Sequence, residues 1–219
     1  MLSTAIEWIL HLDTYLEALA ADHHVLVYIL LFAVIFIETG VVVMPFLPGD
    51  SLLFVAGAIA AKGILSVPVL VPLLILAAVA GDAMNFAIGN LVREKFTNGF
   101  QPKLIKPEHL ALTENFYLRH GRKTLVLARY VPIVRTLAPF VAALGRMPYA
   151  DFLSFNVIGG VLWVTSLVAA GYAFGNIQWV NDNLTLVLLG IILLSLLPGL
   201  FAWIKNIGSA KKVRTTHLK

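Results

Sequence analysis

Cysteine is absent from the 219 residues, which excludes disulfides, thiolate metal sites and cysteine nucleophiles. Charge is scarce as well: 13% of residues are Asp, Glu, Lys or Arg against 59% hydrophobic, and the mean hydropathy is +0.88. That balance lies far outside soluble globular usage and puts the chain in a bilayer. No basic n-region followed by a short apolar core and a small-residue cleavage site opens the sequence, so the apolar segments are expected to belong to the mature protein. The histidines, His11, His23, His24, His109, His120 and His217, all fall outside the apolar stretches, and no HExxH, P-loop or Gly-x-Ser-x-Gly pattern occurs. The expectation is therefore a protein that is not an enzyme and uses no metal or cofactor.

What is present is a succession of apolar stretches. Those near the ~20 residues that a bilayer crossing needs run over 25–44, 67–89, 153–175 and 184–204. Two more, 45–62 and 124–145, contain "PFLPGD" and "RYVPIVRTLAP", whose prolines remove amide donors and break helices. Broken backbone at membrane depth survives only where protein or a wet cavity satisfies it, so both are read as re-entrant helical hairpins. Ahead of them, residues 1–24 carry Ala5, Ile9, Leu12, Leu16 and Leu19 at helical spacing behind a Thr4–Glu7 capping box, which predicts an amphipathic interfacial helix.

Basic residues orient this arrangement. The segment 90–123 holds seven of them against three acids, and the tail 205–219 holds five more, so both are expected on the cytoplasmic side. The connection "NIQWVNDN" has none and suits the outer face. The spans and hairpins then alternate only if each hairpin is followed by a span, twice, in opposite orientations, with both termini cytoplasmic. The fold class is thus an all-α integral membrane protein, an inverted repeat of two re-entrant hairpins with about four full transmembrane helices. Such repeats place a site near the midplane, where the hairpin tips meet.

A census of charged residues inside the apolar stretches, apart from Lys62 at the last position of 45–62, is short: Glu38, Asp50 and Asp82 on one side, Arg129 and Arg135 on the other. Intramembrane charges are costly and pair with one another or face a cavity. The first hairpin region supplies only acids and the second only arginines, so opposed tips would bring opposite charges together. Two arginines six positions apart beside non-helical backbone suit a phosphate, because the guanidinium is a planar fork of donors that stays protonated. The carboxylates Glu38 and Asp50 can exchange a proton as such a ligand enters or leaves. Asp82 and Asn85, in "GDAMNFAIGN", are secondary candidates, and ion pairs that merely lock the hairpins together are the structural alternative. Asn156, Gly159 and Gly160 are read as helix-packing positions, and Trp163 and Trp179 as interfacial anchors.

The stretches "FIETGVVVMPFLPGDSLLFVAG", "GDAMNFAIG", "FYLRHGRKTLVLARYVPIVRTLAPFVAALGRM" and "FLSFNVIGGVLW" resemble the DedA family, whose membrane core is also called the VTT or SNARE-associated domain. The resemblance covers roughly residues 25–175, within an expected membrane domain over 25–204. It implies a bacterial inner-membrane protein with two opposed re-entrant hairpins and a role in envelope homeostasis, dependent in some members on the proton motive force. It further implies that the family's acidic pair falls on Glu38 and Asp50, for proton coupling, and its arginine pair on Arg129 and Arg135, for the lipid headgroup. Members are implicated in returning undecaprenyl phosphate to the cytoplasmic leaflet, and eukaryotic relatives scramble phospholipids. Phe86, where many members carry tyrosine, and Asn90, where a basic residue is common, depart from the pattern. The expected function is a flippase for a phosphate-bearing lipid, undecaprenyl phosphate first, probed against two alternatives: a general phospholipid scramblase and a proton-coupled small-ion or drug antiporter. The expected partners are membrane lipids and protons, with a homodimer compatible and nucleic acid excluded.

Overall fold

The computed structural model describes residues 24–41, 49–97, 123–178, 180, 186–187 and 190. Among these all regular structure is α-helical: α1 (His24–Gly40), α2 (Gly49–Ala61), α3 (Val67–Thr97), α4 (Thr124–Ala128), α5 (Pro132–Leu144) and α6 (Tyr149–Phe174). The expected N-terminal helix, the last span at 184–204 almost entirely, and the basic tail lie outside the described residues.

Two of the described helices are long and apolar enough to cross a membrane, α3 over Val67–Lys95 and α6 over Tyr149–Phe174. At 1.5 Å per residue, the 31 residues of α3 reach about 46 Å, well beyond a hydrocarbon core of about 30 Å. The hydropathic stretch closed at residue 89, but "NLVREKFT" contains no breaker, so the helix continues through its charged end to Thr97. α3 starts where Ser66 O accepts from the amides of Val69 and Leu70, and Ser66 N–H donates to the Tyr28 hydroxyl at 2.7 Å, tying this turn to α1.

The stretch 124–145 folds as two helices separated by a break. α4 closes with tight turns from the amides of Tyr130 and Val131 to Leu127 O and Ala128 O. Val131 is then extended (φ −118°, ψ 105°), as a residue preceding proline prefers, and Pro132 opens α5 at a position whose missing amide costs nothing. The break expected in "PFLPGD" falls on residues 42–48, outside the described set; α2 resumes at Gly49.

Apart from the partly exposed Asp50, α2 is buried from Gly49 to Ala60, the behaviour of an all-round apolar helix at the centre of a protein. It lies against α6 with backbones nearly touching: a Cβ placed on Gly171 would stand 2.0 Å from Phe54 O, and one on Gly57 2.2 Å from Val168 O. α1 approaches α3 equally closely at Gly81, where a Cβ would meet Thr39 Oγ1 at 1.9 Å. Without water to drive them together, helices in lipid associate through such small-residue contacts. The main apolar core joins α1, α2, α3 and α6, including Leu31, Ile35, Leu53, Ile59, Leu70 and Leu74. A smaller core around Phe86, Leu125, Ala142 and Phe152 fills the space between α3, α4, α5 and α6.

Candidate functional site

Four helices converge on Arg135. Its guanidinium bonds Glu38 Oε1 of α1 through Nη2 and Asp50 Oδ1 of α2 through Nη1, the latter at 2.6 Å. From α6, the Trp163 indole N–H donates to the same Asp50 oxygen at 2.9 Å, and its ring lies 4.8 Å from the guanidinium carbon. Glu38 is wholly buried and Arg135 6% exposed, so each charge has its counter-charge as solvent. Gly49 makes this packing possible, since a Cβ there would come within 1.8 Å of Glu38 Oε2.

Arg129, at the α4–α5 break, holds a second centre. Its Nη2 bonds Asp82 Oδ2 of α3 and the Asn156 side-chain oxygen of α6. Asn156 in turn donates to Val79 O at 3.0 Å, which fixes its amide with the oxygen toward the arginine. Gly159 leaves room for the side chain: a Cβ would stand 2.9 Å from both Cδ and Nε of Arg129. The two centres share one electrostatic environment, because Asp82 also lies in the field of Arg135.

Asn85 bonds to neither arginine. Its amide donates to Thr39 O at 3.1 Å and Thr136 O at 2.8 Å, and these threonines directly follow Glu38 and Arg135. Asn85 therefore staples the backbones of α1 and α5 beside the charged pair, one turn from Asp82 on α3.

Glu38, Asp50 and Arg135 thus meet, while Arg129 meets Asp82 rather than the acidic pair. Two site residues escaped the sequence reading. Trp163, expected as an interfacial anchor, is 1% exposed and forms a wall of the charge centre; the apolar face of α6 packs inward at this depth. Asn156, expected to serve helix packing, ligates Arg129. Asn156, Gly159, Gly160 and Trp163 recur at i, i+3, i+4 and i+7, so a polar, two small and one amphipathic residue share one helical face, and that face was the available signal.

Charge balance defines what the site can do. Three buried or half-buried carboxylates, Glu38, Asp50 and Asp82, face two guanidiniums, so one added proton would leave the ensemble neutral. Among the described residues Arg135 Nε is buried with no hydrogen-bond partner, leaving one open donor at the centre. No group of three or more His, Cys, Asp and Glu side chains among the described residues is arranged to hold a metal.

The VTT domain family matches residues 47–173. The chain is 50% identical over 203 residues to Protein DedA of Escherichia coli (strain K12), covering 92% of this chain and 93% of that protein. It is 39% identical over 169 residues to an uncharacterized membrane protein of Mycobacterium leprae (strain TN), covering 77% and 76%. It is 36% identical over 199 residues to Inner membrane protein YghB of Escherichia coli (strain K12), covering 86% and 90%. No solved structure matches the chain significantly.

Proposed function

The chain belongs to the DedA family of VTT-domain membrane proteins, and we propose that it is a flippase which carries the phosphate head of a lipid across the bilayer together with protons. Undecaprenyl phosphate is the proposed substrate and the inner membrane the proposed location, as in the name of its relative YghB. The observation that carries this reading is the double engagement of Arg135 by Glu38 and Asp50 from two different helices.

A lipid phosphate must move its charged head across about 30 Å of hydrocarbon while its tail can stay in oil. A guanidinium at depth can stand in for water around that head, but here both outer nitrogens of Arg135 are already taken by carboxylates. Protonating Glu38 or Asp50 removes one competitor and frees one edge of the fork. Phosphate then takes the place of the carboxylate, with Trp163 and the unpartnered Nε still turned on the same centre. Loss of the proton restores the carboxylate, which expels the phosphate. Proton and phosphate thereby move together, with Arg129 and its ligand Asp82 as a second station on the neighbouring helices. Re-entry of 45–62 and 124–145 from opposite faces, with cytoplasmic termini, would let the two gates open in turn.

Translocation in proteoliposomes tests the reading. Labelled undecaprenyl phosphate is compared with a labelled phospholipid, with and without a proton gradient, for the wild type and Arg135→Ala. Selective, gradient-sensitive movement of the phosphate lipid that the variant loses is expected. Equal movement of both lipids would mean a scramblase, and movement of neither would turn attention to small-ion antiport.

A further inference from the structure

Below the Arg129 centre, toward the basic end of α3, lies a cavity of about 600 Å³ lined by Phe86, Asn90, Arg93, Glu94, Arg146, Met147 and Tyr149. We infer that this cavity is a vestibule that binds a phosphate monoester headgroup through Arg146 and Arg93, and that the Phe86–Phe152 stack is the plug between it and Arg129. The inference rests on the phosphate reading above for the direction of travel.

Register links the two places. Asp82, Phe86, Asn90 and Arg93 follow one face of α3 at intervals of four, four and three residues. Tyr149, Phe152 and Asn156 follow one face of α6 at three and four. The seam between these helices therefore has the ion pair and its asparagine ligand at one end and the cavity at the other. Between them the rings of Phe86 and Phe152 stack at 4.2 Å between centroids and 22° between planes, with Tyr149 tilted against both. Polar atoms lie on either side of this stack and aromatic carbon fills the gap.

The cavity is built for an anion that carries an apolar chain. Arg93 is held at the wall by donating to Ala143 O at 2.9 Å. Arg146 is exposed, and among the described residues its side chain, unlike those of Arg129 and Arg135, is in no ion pair or hydrogen bond. The lining carries two guanidiniums and one carboxylate, that of the exposed Glu94. Phe86, Met147 and Tyr149 supply an apolar wall for the first carbons beyond a phosphate ester.

The backbone at Arg146 is a further pointer. The amides of Arg146 and Met147 donate to Ala143 O and Ala142 O, closing α5 as a Schellman motif whose left-handed residue is Arg146, with φ 56°. Glycine is the usual occupant of that position, because other residues meet steric cost there. It is the only non-glycine residue with positive φ among the described residues, and it lines the cavity.

The same geometry supplies a clean variant. Arg146→Gly removes the guanidinium at a position where glycine relaxes the backbone, so folding is kept. Calorimetric titration of the full chain in neutral detergent would use farnesyl phosphate, inorganic phosphate and farnesol. Farnesyl phosphate is expected to bind saturably, Arg146→Gly to weaken it at least tenfold, and farnesol not to compete. Competition by inorganic phosphate would identify the free anion as a ligand of the same site, and its failure to compete would identify the chain-bearing lipid. Unchanged affinity in Arg146→Gly, or loss of binding only in Arg135→Gln, would overturn the vestibule while leaving the central phosphate reading intact. Conversely, Arg146-dependent binding in a protein that moves no phosphate lipid across liposomes would uphold the vestibule and remove the flippase.

Discussion

Arg135 and Trp163 hold one carboxylate from two sides: the guanidinium donates to Asp50 Oδ1 at 2.6 Å, the indole N–H to the same oxygen at 2.9 Å, and the indole face lies 4.8 Å from the guanidinium carbon. The tryptophan thus sets both partners of the pair. Trp163→Phe keeps the ring but removes the N–H, and a hydrogen bond to a charged group contributes about 1.5–3 kcal/mol. Translocation by Trp163→Phe is expected to fall by about tenfold or more, with a lowering of the thermal midpoint in detergent no larger than the loss of that one hydrogen bond accounts for. Trp163→Leu, which also removes the cation–π contact, should fall further. Wild-type rates in Trp163→Phe would reduce the residue to packing.

Removing the cation tests whether the pair is energetically one unit. Arg135→Gln leaves Glu38 buried beside Asp50 with no counter-charge, and breaking a buried pair in this way costs about 3–5 kcal/mol. Unfolding in denaturant should show that loss, and Glu38→Gln added to it should recover much of it. Strictly additive losses in the double-mutant cycle would mean the two side chains do not depend on one another.

Proton coupling predicts a different signature for Glu38→Gln alone. Glutamine mimics the protonated acid at all pH values, so one edge of Arg135 should be permanently available. In the wild type, acidifying the compartment from which lipid is taken should accelerate capture, because protonation removes the competing carboxylate. Glu38→Gln should still bind phosphate lipid yet ignore the imposed pH gradient. Gradient sensitivity equal to the wild type would take Glu38 out of the proton path.

Sequence reading located the charges better than their partners. Glu38, Asp50, Asp82, Arg129 and Arg135 stand out because ionisable residues in oil need a reason, a rule that requires no knowledge of topology. Which acid meets which arginine depends on how α1, α2 and α3 surround the α4–α5 break, and nothing local in "RYVPIVRTLAP" specifies it. The break itself was legible from Pro132. The end of α3 was not, because hydropathy falls at Asn90 while helical propensity carries on through "LVREK". Trp163 was misassigned for a related reason: a tryptophan in a membrane sequence is ordinarily interfacial, and only the neighbouring small residues on its face mark it as buried.

Asn85 gives a prediction that depends on polarity rather than size. Its amide donates to two carbonyls, Thr39 O and Thr136 O, so Asn85→Asp would turn a carboxylate toward two acceptors. Asn85→Asp should therefore be less stable than Asn85→Ala in detergent, despite being closer in shape. The reverse order would mean that water or a rotated side chain replaces the staple.

Two glycines separate function from folding by what surrounds them. A Cβ on Gly49 would meet the Glu38 carboxyl, the free end of a side chain, at 1.8 Å from Oε2 and 2.6 Å from Cδ. A Cβ on Gly171 would meet the Phe54 backbone, at 2.0 Å from its oxygen and 2.8 Å from its carbonyl carbon. A side chain can swing away by rotating its own bonds, but a helix backbone moves only by displacing its neighbours, and such overpacking costs about 1–3 kcal/mol or more. Gly171→Ala is therefore expected to lower the unfolding midpoint strongly, since α2 must separate from α6. Gly49→Ala should lose less stability than Gly171→Ala and yet lose translocation, because the carboxylate that yields is the one bonded to Arg135. Gly190→Ala, with nothing among the described residues within 4 Å of the added atom, serves as the control and should change neither property. If Gly49→Ala proved as unstable as Gly171→Ala, the Glu38–Gly49 contact would be a structural seam of the fold rather than a contact that shapes the charge centre.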